Sequence, residues 1–114
     1  MNKLLLKRKR KLEEELKRIL EILIGEYQPH KIVLFGSLAK ETIGEWSDID
    51  LFLIKETPKR YLDRIDEVVH LVHPKVGIDL FVLTPEEIRK ALDEEDPYIR
   101  EILTEGRVLY EKTG

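Results

Sequence analysis

The chain of 114 residues has no cysteine, only one methionine and one tryptophan, and only 7% aromatic residues. Without cysteine it has no disulfide, no thiolate zinc site and no thiol nucleophile, which is typical of a cytoplasmic protein. Its apolar runs are far shorter than the ~20 residues that cross a bilayer. Charged residues also interrupt the first twenty positions throughout, unlike a signal peptide. We therefore expect a cytoplasmic protein with no membrane association.

Amides are equally scarce, with one asparagine and one glutamine beside many glutamates and lysines, a usage typical of thermophile proteins. The net charge is only −3 but is unevenly spread. Residues 1–18 carry eight Lys and Arg against three Glu, and the other 96 carry twelve against twenty acids. An acidic body argues against a general nucleic-acid binder. The run Lys7–Lys11 is then either a solvated helix start or a docking surface for an acidic partner or RNA.

The chain length predicts one domain over residues 1–114. We expect residues 1–12 to be a basic helical extension at the start of the first helix. Gly25 should lie just past the end of the first helix. Thr57 and Pro58 should begin the crossover helix, and Thr84 should open the next one with a capping box. We expect helices at about 4–24, 38–42, from 57, from 84 and at 97–105, and strands at 31–35, 48–54, 78–83 and 108–110. The buried stripe of the crossover helix should comprise Leu62, Ile65, Val68, Val69 and Val72.

The lengths of the connections predict the topology. The link over residues 55–77 is long enough to make the second and third strands parallel, and the shorter link before it permits an antiparallel first pair. We therefore expect an α+β domain in which a mixed central sheet is flanked by helices.

The tetrapeptide Ile-Asp-Leu-Phe occurs twice, at 49–52 and at 78–81, near the start of each predicted strand. Aspartate is disfavoured in strands, and Asp48 and Asp50 should point to one face, with Asp79 beside Asp50 if the strands pair. Three such carboxylates repel one another unless cations hold them, and hard oxygen ligands suit Mg²⁺. A single strand-start aspartate is often only a turn residue, but the second copy favours a metal site. Two ions ~3.5–4 Å apart could clamp a phosphoryl-type displacement.

Gly36-Ser37 ends the first strand and adds a candidate phosphate cradle, because glycine lets the backbone approach an anion and serine offers a hydroxyl. Gly-Ser is also an ordinary turn. Antiparallel pairing would nevertheless bring it next to Asp48 and Asp50.

Gly36-Ser37, ten residues and then Asp48-Ile49-Asp50 resembles the signature of the DNA polymerase beta-like nucleotidyltransferase superfamily, and within it the minimal nucleotidyltransferase (MNT) proteins. The similarity covers about residues 13–111, although Lys40-Glu41 stands where many members have Arg-Gly. The resemblance implies the nucleotidyltransferase fold, with Asp48, Asp50 and Asp79 as catalytic residues and metal ligands, Asp79 also as base, and Gly36 and Ser37 as nucleotide-binding residues. It implies Mg²⁺ as cofactor, two ions in all, and ATP as substrate.

The resemblance further implies a partner. Minimal members commonly pair with a HEPN toxin, a helical ribonuclease, and act as its antitoxin by binding it and adding AMP to a tyrosine. Because the catalytic core fills the chain, we expect the acceptor site to come from a partner or from a second copy in a homo-oligomer. The alternatives are a non-catalytic module that neutralises a partner by docking, and an enzyme that modifies a small molecule. The Arg64-x5-His70 spacing superficially matches a ribonuclease motif, but it lies on a crossover helix and is poorly aligned for one face.

Overall fold

A computed structural model describes residues 2–113 as a four-stranded sheet with helices on both faces. The first helix runs into a π-helical turn, Leu23–Tyr27. Apart from this turn, the helices and strands are, in chain order, the first helix α1 Lys3–Ile22, β1 Lys31–Phe35, α2 Gly36–Lys40, β2 Ile49–Ile54, α3 Tyr61–Val72, β3 Ile78–Leu83, α4 Pro85–Asp93, α5 Pro97–Glu105 and β4 Arg107–Glu111.

The sheet has the strand order β3-β2-β1-β4. β1 is antiparallel to β2 and to β4, whereas β2 and β3 are parallel across the α3 crossover. This confirms the predicted α+β domain with a mixed central sheet. It also places the two Ile-Asp-Leu-Phe copies side by side and in register.

Strand alternation divides the core into two layers. Ile32 and Leu34 of β1 pack with the buried residues of α1 and α3 on one face of the sheet. Val33 of β1 and Phe52 of β2 pack with Ile88, Ile99 and Ile102 on the other face. Asp50 is two residues from Phe52, so its side chain points to the face that α5 covers.

The sequence predicted that the first helix ends just before Gly25, but the helical structure continues past this residue. It passes into the π-helical turn, which contains Gly25 and ends at Gln28 in the left-handed region. The turn is retained because both Leu23 and Tyr27 are buried in the core. In this case tertiary packing overrides the local stop signal of glycine.

The predicted start of α3 is wrong, and its predicted buried stripe is confirmed for Ile65, Val68 and Val72 but not for Leu62 and Val69. Residues 57 and 58 lie ahead of the helix, which begins at Tyr61 with Arg60 as N-cap. Leu62 is 74% exposed and Val69 is 37% exposed, while Arg64 faces the core with Val68 and Val72. Arg64 donates to the carbonyl of Val82 at 3.1 Å and to the Glu87 carboxylate at 2.7 Å, which satisfies its buried guanidinium.

Smaller differences concern the ends of elements. β2 begins at Ile49 rather than at residue 48, and α2 begins at Gly36 rather than at residue 38. The capping box of Thr84 and Glu87 is confirmed. Within residues 2–113, no helix combines the length and the apolar character needed to cross a membrane.

Candidate active site

Gly36, Asp50 and Asp79 meet at one corner of the sheet. Phe35 pairs with Asp50 across the antiparallel ladder, and Asp50 pairs with Asp79 across the parallel one. Gly36 follows directly with φ +73°, and a β-carbon at that position would collide with Oδ2 of Asp50. Glycine is therefore required there for both its conformation and its lack of a side chain.

The two paired aspartates interact strongly. Burial raises the pKa of Asp50 to about 6, and repulsion from the Asp79 and Asp48 carboxylates and a hydrogen bond with Asp79 add to the rise. Asp79 itself is exposed. Like charges held this close favour either a shared proton or a cation between them.

Asp48 lies on the loop just before β2, against the start of β3. A β-carbon on Gly77 would collide with its Oδ1, so glycine makes room for this carboxylate. The Asp48 side chain is 50% exposed and lies 3.8 Å from Nη2 of Arg8. Arg8 also donates to the carbonyl of Ser47, from Nε at 3.2 Å and from Nη2 at 2.7 Å.

Carboxylate oxygens are the donors that Mg²⁺ prefers, and a divalent cation would relieve the repulsion that adds to the effect of burial on the pKa of Asp50. The Asp50–Asp79 pair therefore fits a hard cation. Across residues 2–113, no group of three His, Cys, Asp or Glu side chains is assembled tightly enough to hold a metal ion. Asp48, with Arg8 beside it, is the neighbouring carboxylate that could complete such a set.

A cavity of about 290 Å³ opens beside these carboxylates. β1 and α2 form one wall of it and α5 forms the other. Its lining residues are Phe35, Gly36, Ala39, Lys40, Asp50, Asp79, Tyr98, Glu101, Ile102, Glu105 and Gly106. Ser37 is half-buried as the second residue of α2 and is not part of this lining.

Sequence reasoning missed the contribution of α5 to this cavity. Tyr98 is 49% exposed, and its ring lies edge-on to Phe81 with the centroids 5.8 Å apart. Tyr98 lines the cavity together with Asp50 and Asp79. Burial raises the pKa of Tyr98, and the carboxylates of Asp79 and then Asp50 raise it further. Only the Asp-Pro helix start at 96–97 marks this segment in the sequence, and it does not show which face meets the aspartates.

The two residues of the Arg64-x5-His70 spacing lie in clearly different environments. Arg64 is 6% exposed and its guanidinium is engaged by Lys59, Val82 and Glu87, so it is a structural residue of the core. His70 is exposed, and its Nδ1 lies 2.7 Å from the carbonyl oxygen of Asp66 in its own helix. These positions give no support to a ribonuclease site.

The sequence model of the family described as "Nucleotidyltransferase domain" matches residues 9–110, nearly the whole chain. The chain belongs to the nucleotidyltransferase domain family. The strand-end glycine and the paired aspartates of this nucleotidyltransferase domain all lie within the matched segment.

The chain is also similar to individual proteins. It is 36% identical over 86 residues to "Putative protein adenylyltransferase MJ1305" of Methanocaldococcus jannaschii, a match that covers 71% of this chain and 58% of the relative. The nucleotidyltransferase domain thus spans somewhat more than half the length of this curated relative. The fold of this chain is similar to the crystal structure of "a putative nucleotidyltransferase" from Sulfolobus solfataricus, with a TM-score of 0.61 and 20% identity, over 79% of this chain and 82% of that one.

Proposed function

We propose that this chain transfers AMP from ATP to a hydroxyl group of a protein. The observation that carries the proposal is the pair Asp50–Asp79, in register on parallel strands beside a cavity that Gly36 opens. Family membership supports nucleotidyl transfer, and the relative named as a protein adenylyltransferase supports a protein acceptor.

Asp50 and Asp79, with Asp48 as a third ligand, would hold Mg²⁺, two ions in all. When bound, the metal supplies charge neutralisation for the phosphates and the leaving pyrophosphate. Gly36 lets the backbone approach the nucleotide, and Ser37 on the next position is assigned to the phosphates by the resemblance described above. Much of the catalysis then comes from positioning and electrostatics, which the paired strands β2 and β3 provide by holding Asp50 and Asp79 in register.

Asp79 is the proposed general base, because it is exposed to the cavity next to Asp50. In the transfer, the acceptor oxygen forms a bond to the α-phosphorus, the bond from that phosphorus to pyrophosphate breaks, and the acceptor proton passes to Asp79. A base within hydrogen-bond reach of the acceptor hydroxyl is what such a step requires.

For the acceptor we propose a tyrosine of a HEPN-type toxin, so that the chain acts as an antitoxin. The support for this finer assignment is the resemblance to minimal nucleotidyltransferases, together with the protein adenylyltransferase relative. Half-exposed Tyr98 and exposed Glu101 line the cavity, which supports access for a side chain that a second protein presents.

Intact-mass analysis tests the proposal. The chain and its co-purified partner are incubated with Mg²⁺ and each nucleoside triphosphate in turn. We expect the partner to gain whole AMP units with ATP and to gain nothing with Asp50→Asn. The matched control is Asp93→Asn, which removes an exposed acid at the end of α4 and should leave transfer unchanged. A partner that binds tightly but gains no mass with any triphosphate would support the docking module instead.

A further inference from the structure

Arg8 connects the first helix to the aspartate site. Its guanidinium donates twice to the carbonyl of Ser47, the residue directly before Asp48. Its Nη2 lies 3.8 Å from Oδ1 of Asp48. Arg8 and Ser47 are 39 positions apart in the sequence, so this contact depends entirely on the fold.

Arg8 is partly buried and is held in place by two hydrogen bonds to one carbonyl. The Arg8 side chain is only 24% exposed, whereas that of Asp48 is 50% exposed. The planar guanidinium presents two N–H groups to one carbonyl, which fixes the peptide in front of Asp48 more tightly than a single bond would. The family match begins at residue 9, so it does not include this arginine.

We propose that Arg8 positions Asp48 and that its charge sets how tightly the aspartate site takes up a divalent cation. This inference rests on the proposed function, because it takes Asp48 as a metal ligand. The hydrogen bonds to Ser47 hold the loop of residues 44–48, which carries Asp48, in place. The guanidinium also repels an incoming cation and pairs with the carboxylate that the cation needs.

The positioning of Asp48 and the effect of the positive charge on cation binding can be separated by substitution. Arg8→Lys keeps the positive charge but loses the two-pronged hydrogen bond, whereas Arg8→Gln loses both the charge and the two-pronged hydrogen bond. The matched control is Lys9→Ala, because Lys9 neighbours Arg8 in the helix but pairs with Glu41 at 3.3 Å instead. Mn²⁺ serves as the probe, and its Kd is measured by electron paramagnetic resonance without nucleotide, at ~0.15 M salt, where the Debye length is about 8 Å.

We expect Arg8→Gln to bind Mn²⁺ about threefold more tightly than the unmodified chain, since one partly exposed charge pair is worth a small factor. Arg8→Lys should bind Mn²⁺ like the unmodified chain. Both variants should lower kcat of the transfer by about tenfold to a hundredfold with little change in the KM for ATP, because a displaced ligand mainly affects the transition state. Lys9→Ala should change neither quantity.

Thermal unfolding of each variant shows whether it is folded, and Arg8→Lys remains informative if Arg8→Gln is not. Arg8→Gln that binds Mn²⁺ no more tightly than the unmodified chain, while Asp50→Asn abolishes the binding, overturns the inference alone. Mn²⁺ binding that is absent from the unmodified chain, or unaffected by Asp50→Asn, overturns the proposed function as well.

Discussion

Gly36 and Asp50 compete for the same volume: the carboxylate oxygen Oδ2 of Asp50 occupies the place where a side chain on Gly36 would begin. The absence of one side chain thus creates the position of the other. The left-handed φ of +73° at Gly36 makes the requirement for glycine stricter still.

Gly36→Ala should therefore displace Asp50 and abolish transfer. It should also lower the free energy of unfolding by about 1–3 kcal/mol, since the left-handed conformation and the collision both penalise alanine. Urea denaturation and the mass assay measure the two effects. Gly25→Ala is the matched control, because nothing lies within 4 Å of its added methyl group, and it should leave transfer intact. Transfer at the normal rate by Gly36→Ala would contradict the proposed site.

Asp50→Asn should separate activity from stability. The substitution removes a carboxylate whose ionised form is destabilised by burial and by two neighbouring aspartates, which together raise its pKa to about 6. At pH 7 in the presence of a chelator, we expect the free energy of unfolding to rise by about 1 kcal/mol, discounted for partial exposure. Transfer should fall by at least about a hundredfold. Chemical denaturation of Asp50→Asn and Asp93→Asn side by side measures the gain, and a marked loss of stability in the former would speak against the crowding of carboxylates.

Glu15 should make the fold sensitive to acid. It is 6% exposed and accepts from Nε and Nη2 of Arg18 at 2.7 and 2.8 Å and from the backbone N–H of Lys75 at 2.6 Å. The hydrogen bond from Arg18 lowers the pKa of Glu15 below its ordinary value of 4.5, against the opposing effect of burial. The ionised form thus stabilises the fold above that ordinary value, and the stabilisation is lost as the pH falls through the lower folded-state pKa.

Glu15→Gln should cost about 2 kcal/mol at pH 7 and should flatten the loss of stability in acid. Glu13→Gln, at an exposed position of the same helix, should change neither. Thermal unfolding followed from pH 7 down to acid measures both variants. Parallel stability profiles for Glu15→Gln and the unmodified chain would refute this role.

Tyr98 should matter for catalysis through its ring. The ring packs edge-on to Phe81 and forms part of the cavity wall beside Asp50 and Asp79. Tyr98→Ala should lower kcat/KM by about tenfold by removing that wall, whereas Tyr98→Phe should stay within about twofold. Steady-state kinetics of the two variants checks this, and equal activity of Tyr98→Ala and Tyr98→Phe would show that the ring contributes nothing.

The repeated Ile-Asp-Leu-Phe segments show how far local patterns can predict this protein. Strand propensity and the length of the α3 crossover indicated parallel neighbours, and the register indeed places Asp50 beside Asp79. The crossover helix shows the limit. Its periodicity correctly predicted Val68 and Val72 as buried but also favoured Leu62 and Val69, which are exposed. Arg64 lies on the core side instead, because a charged residue can be buried when partners satisfy its donors.

The sequence by itself determined the mixed sheet, the glycine at the end of β1 and the pairing of two aspartates, because these depend on periodicity, connection length and backbone conformation within short segments. Only the tertiary structure decided that Arg8 reaches Asp48 and that Tyr98 lines the cavity. Arg8 and Asp48 are 40 positions apart, and Tyr98 lies 19 positions from Asp79. Contacts between such distant residues follow from how the helices rotate and pack on the sheet. Local propensity carries no information about that packing.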